Sequence, residues 1–228
     1  MLDSEDSLAT FLVTGANRGI GLEFCRQLQA RHDHVIAVCR QASPELEAIG
    51  VEIQSGIELT SEASITALVQ NLNNRPLDGV ILNAGILQSM DLENLDVEGI
   101  KRQFEVNALA PLLLAQSLME QMPHGAKLAL ITSRMGSVDD NTSGGSYGYR
   151  MSKVALNMAG RSLSIDLKPR GIAVAVLHPG LVSTRMINFN PNGISPETAL
   201  LGLLARIDEL QLETSGRFWH SNGQQLPW

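Results

Sequence analysis

The sequence predicts an α/β fold, a single doubly wound Rossmann-type domain with a mainly parallel central sheet flanked by helices. Three observations carry that expectation. Short apolar runs alternate with longer helical stretches along all 228 residues, as repeated βαβ units require. The runs are nearly uninterrupted by polar residues, as in strands buried on both faces. A glycine-rich turn follows the first run directly, where such folds place a phosphate-binding loop.

Each element can be justified in order. Thr10-Phe-Leu-Val-Thr14 reads as the first strand, and Ile20 to Arg31 as a helix with Leu22, Cys25 and Leu28 at helical spacing. Val35-Ile-Ala-Val38 is the second strand and Val51-Glu-Ile53 a short third. Ser61 with Ser64 to Leu72 makes a helix, ended by Asn73, Asn74 and Pro76. Gly79-Val-Ile-Leu82 is the fourth strand. One long helix is expected over Val97 to Met122, with Pro123 and Gly125 as its stop. Lys127-Leu-Ala-Leu-Ile-Thr132 is the fifth strand, followed by a polar loop from Arg134 to Ser146. The next helix runs from Tyr147 to Lys168-Pro169, and Ile172 to Leu177 is the sixth strand. Ser195-Pro196 opens a helix to about Leu210, and Gly216-Arg-Phe-Trp219 reads as a last strand. No linker, repeat or low-complexity segment divides the chain, so one NAD(P)-binding domain over 1–228 is expected.

The bulk composition excludes several functions. A net charge of −7 sets the chain against a phosphate backbone or an anionic membrane surface. No apolar run approaches the roughly 18–20 residues of a membrane span. Met1-Leu-Asp-Ser-Glu-Asp6 is unlike a signal peptide, so a cytoplasmic location is expected, with Cys25 and Cys39 reduced. His32, His34, His124, His178 and His220 are scattered, none at metal-ligand spacing with a carboxylate. No metal is expected.

Thr14-Gly-Ala-Asn-Arg-Gly-Ile-Gly21 lies at a strand-to-helix turn. Gly15, Gly19 and Gly21 permit a tight bend and close backbone approach to a pyrophosphate, and the helix beyond presents free N–H groups to that anion. Asn17, Arg18 and Ile20 belong to the same turn. Plain turn chemistry would also use glycine here; the place between strand and helix favours the nucleotide. A site that prefers NAD puts a carboxylate at the end of the second strand, but that strand ends Cys39-Arg40. Arg40 offers a planar cation suited to a 2′-phosphate, and Arg18 a second one. NADPH is therefore expected over NADH, against the alternative that both arginines are solvated surface residues.

Tyr149 and Lys153 are four apart and share a helix face. An ammonium beside a phenol favours phenolate, so Lys153 is expected to lower the Tyr149 pKa and make it a usable acid or base. Such a pair alone is weak evidence, because it also arises on exposed helices.

The full ordered set changes the weight. Thr-Gly-x-x-x-Gly-x-Gly at 14–21, Asn83-Ala-Gly85, Ser133, Tyr149-x-x-x-Lys153 and Pro179-Gly180 occur in sequence along the chain. Together they resemble the short-chain dehydrogenase/reductase family. Tyr149-Arg-Met-Ser-Lys-Val-Ala-Leu-Asn157 and Gly223-x-x-x-Pro-Trp228 look closer to its C-factor and sniffer-like carbonyl reductase branch. The resemblance implies an NADPH-dependent carbonyl reductase. Tyr149 would protonate the substrate oxygen, Lys153 would hold the nicotinamide ribose, and Ser133 would polarise the carbonyl. Asn107 would anchor a proton-relaying water, its alternative being an exposed helix position. Asn83, Ala84 and Gly85 would line the cofactor floor, with Glu58 or Leu59 near the adenine. Pro179, Gly180, Val182 and Thr184 would border the nicotinamide amide and diphosphate. The resemblance further implies a homodimer or homotetramer, through the helices near 97–122 and 147–169. Two departures stand out. Ser133 and Tyr149 lie farther apart than is common in the family, leaving Ser137 as an alternative serine, and Asn83 is not doubled.

Substrate contacts are expected from Ile86, Leu87, Met90, Met135, Val138, Tyr147, Met186, Ile187 and Phe189, a lining suited to a medium-sized apolar ketone, aldehyde or quinone. Two other functions remain open: a non-catalytic NADPH-binding sensor or signalling protein, and epimerisation or dehydration on the same scaffold.

Overall fold

A computed structural model describes residues 8–228; the acidic start over Met1–Asp6 lies outside them. Seven strands form one sheet: β1 (Thr10–Thr14), β2 (His34–Val38), β3 (Glu52–Gln54), β4 (Gly79–Leu82), β5 (Lys127–Ile131), β6 (Ala173–His178) and β7 (Phe218–His220). Their order is β3-β2-β1-β4-β5-β6-β7, and every pairing is parallel. The chain leaves β1 toward one edge through β2 and β3, then crosses back to place β4 on the other side of β1. Ligands bind such sheets at this reversal, beyond the carboxyl ends of the strands.

The helices are α1 (Gly19–Ala30), α2 (Pro44–Glu47), α3 (Glu62–Leu72), α4 (Val97–Phe104), α5 (Ala110–Leu118), α6 (Tyr147–Asp166) and α7 (Pro196–Asp208). Alternate strand residues feed two cores, one on each face of the sheet. Leu12, Ile36, Val38 and Val80 pack with Leu68 and Leu72 of α3, Leu114 of α5 and Leu156 of α6. Val13, Val35, Ala37 and Ile81 pack on the opposite face with Phe24 and Leu28 of α1 and Leu200 and Leu203 of α7. Each buried leucine or phenylalanine contributes about 1.5–3 kcal/mol over its exposed state. Close approach sets where α6 lies: a Cβ on Gly160 would come within 2.6 Å of Leu130 of β5 and Val176 of β6.

The strands fall where the apolar runs place them, with β3, β6 and β7 shifted by one or two residues. The long helix expected over 97–122 is interrupted. A π-helical turn, Glu105–Leu109, separates α4 from α5, and a 3₁₀ turn over Met119–Gln121 ends the segment. Pro111 explains the break: it has no N–H for the carbonyl of residue 107, and its ring crowds that carbonyl. The short α2 was not expected; Pro44 starts it, and the Leu46 N–H donates to the Ser43 hydroxyl at 3.2 Å.

Candidate active site

The glycine turn is fixed by β4. The Thr14 hydroxyl accepts hydrogen bonds from the Asn83 and Ala84 N–H groups at 3.0 and 3.1 Å. Asn83 Nδ2 donates back to the Thr14 carbonyl at 3.0 Å. Gly15 and Gly19 hold left-handed backbone, φ +64° and +56°. A Cβ on Gly21 would lie 2.2 Å from the Gly15 carbonyl oxygen, so only glycine lets α1 start this close to the turn. Ser43, Ser61, Asp96 and Ser195 cap α2, α3, α4 and α7. The N-terminus of α1 has no capping side chain and no acid in its first turn, which leaves its N–H groups free for an anion.

The other sequence-predicted nucleotide residues lie in this turn or in the segments that follow β2, β3 and β6. Asn17 is half-buried and Arg18 exposed, while Ile20 packs on the α1 core. Gly19 faces Thr184, whose Cγ2 would be 3.4 Å from an added Cβ. Pro179 and Val182 are buried, and the Ser221 hydroxyl donates to the Pro179 carbonyl at 3.0 Å. Gly180 has φ +90°. Arg40, at the end of β2, is exposed and lies 3.6 Å from Glu58; Leu59 packs on the α3 core. So exposed an ion pair holds Arg40 only weakly.

The chemical end is assembled on α6. Tyr149 and Lys153 are both buried, and Lys153 Nζ donates to the Ile131 carbonyl at 3.0 Å. Nζ lies 5.7 Å from the centre of the Tyr149 ring. The expected lowering of the Tyr149 pKa by Lys153 is not what the structure gives. Burial pushes the phenol up to about 12, and the opposing pull comes from a hydrogen bond with Ser133. Burial also brings Lys153 down to about 8, because desolvation disfavours the charged form of each group. At neutral pH Tyr149 therefore holds its proton, as a donor to a substrate oxygen must. Ser133, not Ser137, partners the phenol; the buried Ser137 hydroxyl accepts from the Asp140 N–H at 3.1 Å within the following loop.

Asn107 is fully buried in the π-helical turn, so the exposed-surface alternative fails. Its Oδ1 accepts from the Ile86 N–H at 2.8 Å, and Nδ2 donates to the Ile86 carbonyl at 2.9 Å and the Ser152 hydroxyl at 3.0 Å. A Cβ on Gly85 would lie 3.2 Å from Asn107 Oδ1 and 3.7 Å from Lys153 Nζ, which places these groups around one small space.

Sequence reasoning missed the polar supports of this site. The Thr132 hydroxyl donates to Asn157 Oδ1 at 2.7 Å, and Asn157 Nδ2 donates to the Gly136 carbonyl at 2.9 Å. Ser152 donates to the Tyr149 carbonyl at 2.7 Å. The available signal was their spacing: Ser152 is three residues past Tyr149 and Asn157 four past Lys153, so all share one face.

A cavity of about 430 Å³ opens between the 134–146 loop and α6. Of the expected substrate residues it contains Met135, Val138 and Tyr147; Met151 and Val154 add apolar wall. Ser133, Tyr149 and Lys153 are not in its lining. Residues 147, 151 and 154 lie about 100–160° round the helix from 149 and 153, so the cavity sits beside the site rather than over the phenol. Ile86, Leu87, Met90, Met186, Ile187 and Phe189 are not part of it.

Among the described residues, no group of three or more His, Cys, Asp or Glu gathers as a metal site, and no helix is long and apolar enough to cross a membrane.

Residues 9–193 match a family model described as short chain dehydrogenase. The chain is 42% identical over 226 residues to 1-hydroxy-2-glutathionyl-2-methyl-3-butene dehydrogenase of Rhodococcus sp. (strain AD45), covering 97% of this chain and 100% of that one. It is 42% identical over 165 residues to C-signal of Myxococcus xanthus, covering 71% and 99% of the two chains. NADPH-bound carbonyl reductase from chicken fatty liver has a TM-score of 0.88 at 29% identity, with 97% and 99% covered. The carbonyl reductase Sniffer of D. melanogaster also gives 0.88, at 28% identity, with 97% and 100% covered.

Proposed function

The chain belongs to the short-chain dehydrogenase family, on its C-factor and sniffer-like side, and from that premise we propose that it is an NADPH-dependent carbonyl reductase. The observation that carries the proposal is Tyr149, buried and holding its proton, with Ser133 as the side chain that opposes the effect of burial on the phenol and the buried Lys153 one helical turn on. The cofactor fits the residues present. The uncapped N-terminus of α1 and the glycine turn would hold the diphosphate, with Asn17, Ile20 and Thr184 beside it. Arg40 and Arg18 would take the 2′-phosphate, drawing Arg40 from its weak pairing with Glu58. Asn83, Ala84 and Gly85 would form the floor, Glu58 and Leu59 the adenine side, and Pro179, Gly180 and Val182 the nicotinamide side. The NADPH in the chicken enzyme's crystal structure supports this choice.

Bound there, NADPH would supply the hydride to the carbonyl carbon. Ser133 donates a hydrogen bond to the carbonyl oxygen as negative charge develops on it, and Tyr149 gives that oxygen its proton. Lys153, neutralised only above about pH 8, is charged at neutral pH and stabilises the phenolate left behind. Asn107 holds the backbone at Ile86 and would anchor a water that replaces, from solvent, the proton that Lys153 passes on to the Tyr149 phenolate. In the reverse direction Tyr149 must first lose its own proton, by way of Lys153, before it accepts the alcohol proton, and the Rhodococcus relative's name, a dehydrogenase, is a reason to assay both directions. The apolar loops favour an uncharged ketone, aldehyde or quinone.

Exposed apolar residues on α5 and α6, among them Leu112, Leu113, Met158 and Ile165, favour a homodimer, which sedimentation velocity would test. A second reading, a signalling protein, is favoured by the likeness to C-signal. The experiment that separates them is oxidation of NADPH and NADH with diketones, quinones, aldehydes and ketones, and reduction of NADP⁺ with the matching alcohols. Turnover with NADPH supports the reductase. Tight NADPH binding with no turnover in either direction favours signalling.

A further inference from the structure

The Gly223-x-x-x-Pro-Trp228 stretch takes no part in the chemistry, yet it reaches the loop that carries Ser133. After β7 the chain folds straight back. The His220 N–H donates to the Gln224 carbonyl at 2.8 Å, and Trp219 and Gln225 form an antiparallel bridge. The Leu226 N–H donates to the Phe218 carbonyl at 2.8 Å, and its side chain is buried in the core that holds Leu156 of α6. The Trp228 ring then stacks on Phe218, 5.5 Å between centres and 25° between planes. Phe218 is fully buried, so the tryptophan rests on a fixed surface. From there the main-chain oxygen of Trp228 accepts a hydrogen bond from the Asp139 N–H at 3.0 Å.

Asp139 sits six residues past Ser133. The other hydrogen bonds of residues 137–142 stay inside the loop: Ser137 N–H to Arg134, Asp140 N–H to the Ser137 hydroxyl, Asn141 N–H to Val138 and Thr142 N–H to Asp140. The Arg134–Asp140 ion pair, at 2.9 Å, is internal to it as well. Among the described residues, Trp228 is thus the one hydrogen-bonded tie between this turn and the sheet. The same turn supplies Ser137, Val138 and Asn141 to the cavity wall.

We propose that Trp228 is a positioning residue: stacked on Phe218, it anchors the 137–142 turn and thereby holds Ser133 and the adjoining cavity wall in place. The catalytic half of this proposal rests on the assignment of Ser133 above; the anchoring half does not. Without the anchor residues 137–142 are held only at their ends, by Asn157 on the Gly136 carbonyl and by Arg150 on Ser143, Gly144 and Gly145, and small displacements of a reacting geometry cost rate steeply.

The test compares the full chain with Trp228→Ala and Trp228→Phe. Hydrogen exchange by mass spectrometry follows residues 134–146, and kcat and KM are measured for NADPH and a diketone that the unaltered protein reduces. In Trp228→Ala, exchange over 137–142 should rise about tenfold or more while α1 keeps its protection. The kcat should fall about tenfold to a hundredfold with the KM for NADPH unchanged, and Trp228→Phe should restore both. Unchanged exchange in the loop overturns the proposal. So does faster exchange with kcat and both KM values unaltered, which would make Trp228 merely structural. If the unaltered protein reduces none of the carbonyls, the reductase assignment falls, and the exchange measurement alone decides the anchor.

Discussion

Lys153→Met should stabilise the protein, and the gain should shrink as pH rises. The side chains are of similar length, and the change removes an ammonium that is buried against Tyr149 and Ile131. Burial lowers the Lys153 pKa from 10.5 to about 8. A shift of that size corresponds to about 3 kcal/mol, the cost of holding the charged form in the folded state at pH 7. Between pH 8 and 10.5 the unfolded chain keeps a proton that the folded chain has released, so stability rises with pH across that window. The cost therefore falls by about 2 kcal/mol from pH 7 to pH 9.5. Loss of the hydrogen bond to the Ile131 carbonyl opposes the gain by about 1–3 kcal/mol, but that loss does not depend on pH. Urea unfolding, followed by the fluorescence of Trp219 and Trp228 at both pH values, reads the difference directly. The variant's stability relative to the unaltered protein should drop by about 2 kcal/mol between pH 7 and 9.5. A difference that stays constant with pH refutes the argument that burial sets the lysine's protonation.

Three further outcomes follow from the same geometry. Arg40→Asp should weaken NADPH binding by about tenfold or more, the loss of a charge-assisted contact, and leave NADH binding little changed; fluorescence titration with both cofactors checks it. Ser133→Ala should lower kcat about 100- to 1,000-fold, whereas Ser137→Ala should lower it far less, and steady-state kinetics on both variants separates the two serines. Asn107→Leu strands the main-chain N–H and carbonyl of Ile86 and should cost about 2–4 kcal/mol, measured by urea unfolding.

The order of the strands and the place of the glycine turn were legible because buried parallel strands write themselves as apolar runs, and a strand-to-helix turn under steric pressure writes itself as glycine. Gly21 is an instance: its neighbour is the Gly15 carbonyl, six residues away, so the constraint is local and shows in sequence. The break at Glu105–Leu109 was less visible, since Val97 to Met122 keeps an apolar periodicity and one proline, Pro111, shifts the hydrogen bonding behind it. The pairing of Tyr149 with Lys153 followed from helical spacing, but their protonation did not. Spacing reports a neighbour; depth of burial is decided by β5, the loop after it and α4, which come from elsewhere in the chain. Asn157 and Thr132 escaped notice for the same reason, as their partnership joins a helix to a strand end 25 residues away. The expected apolar substrate lining divides: Met135, Val138 and Tyr147 share a cavity, while Met186 and Phe189 stand exposed on the segment after β6.

The most direct test of the central claim is the NADPH-dependent reduction of diketones and quinones by the unaltered protein and by Tyr149→Phe, with NADPH affinity measured on both. The account predicts turnover that is lost in the variant while NADPH still binds with similar affinity, because the phenol donates the proton and the glycine turn holds the cofactor. Equal turnover by Tyr149→Phe would contradict it.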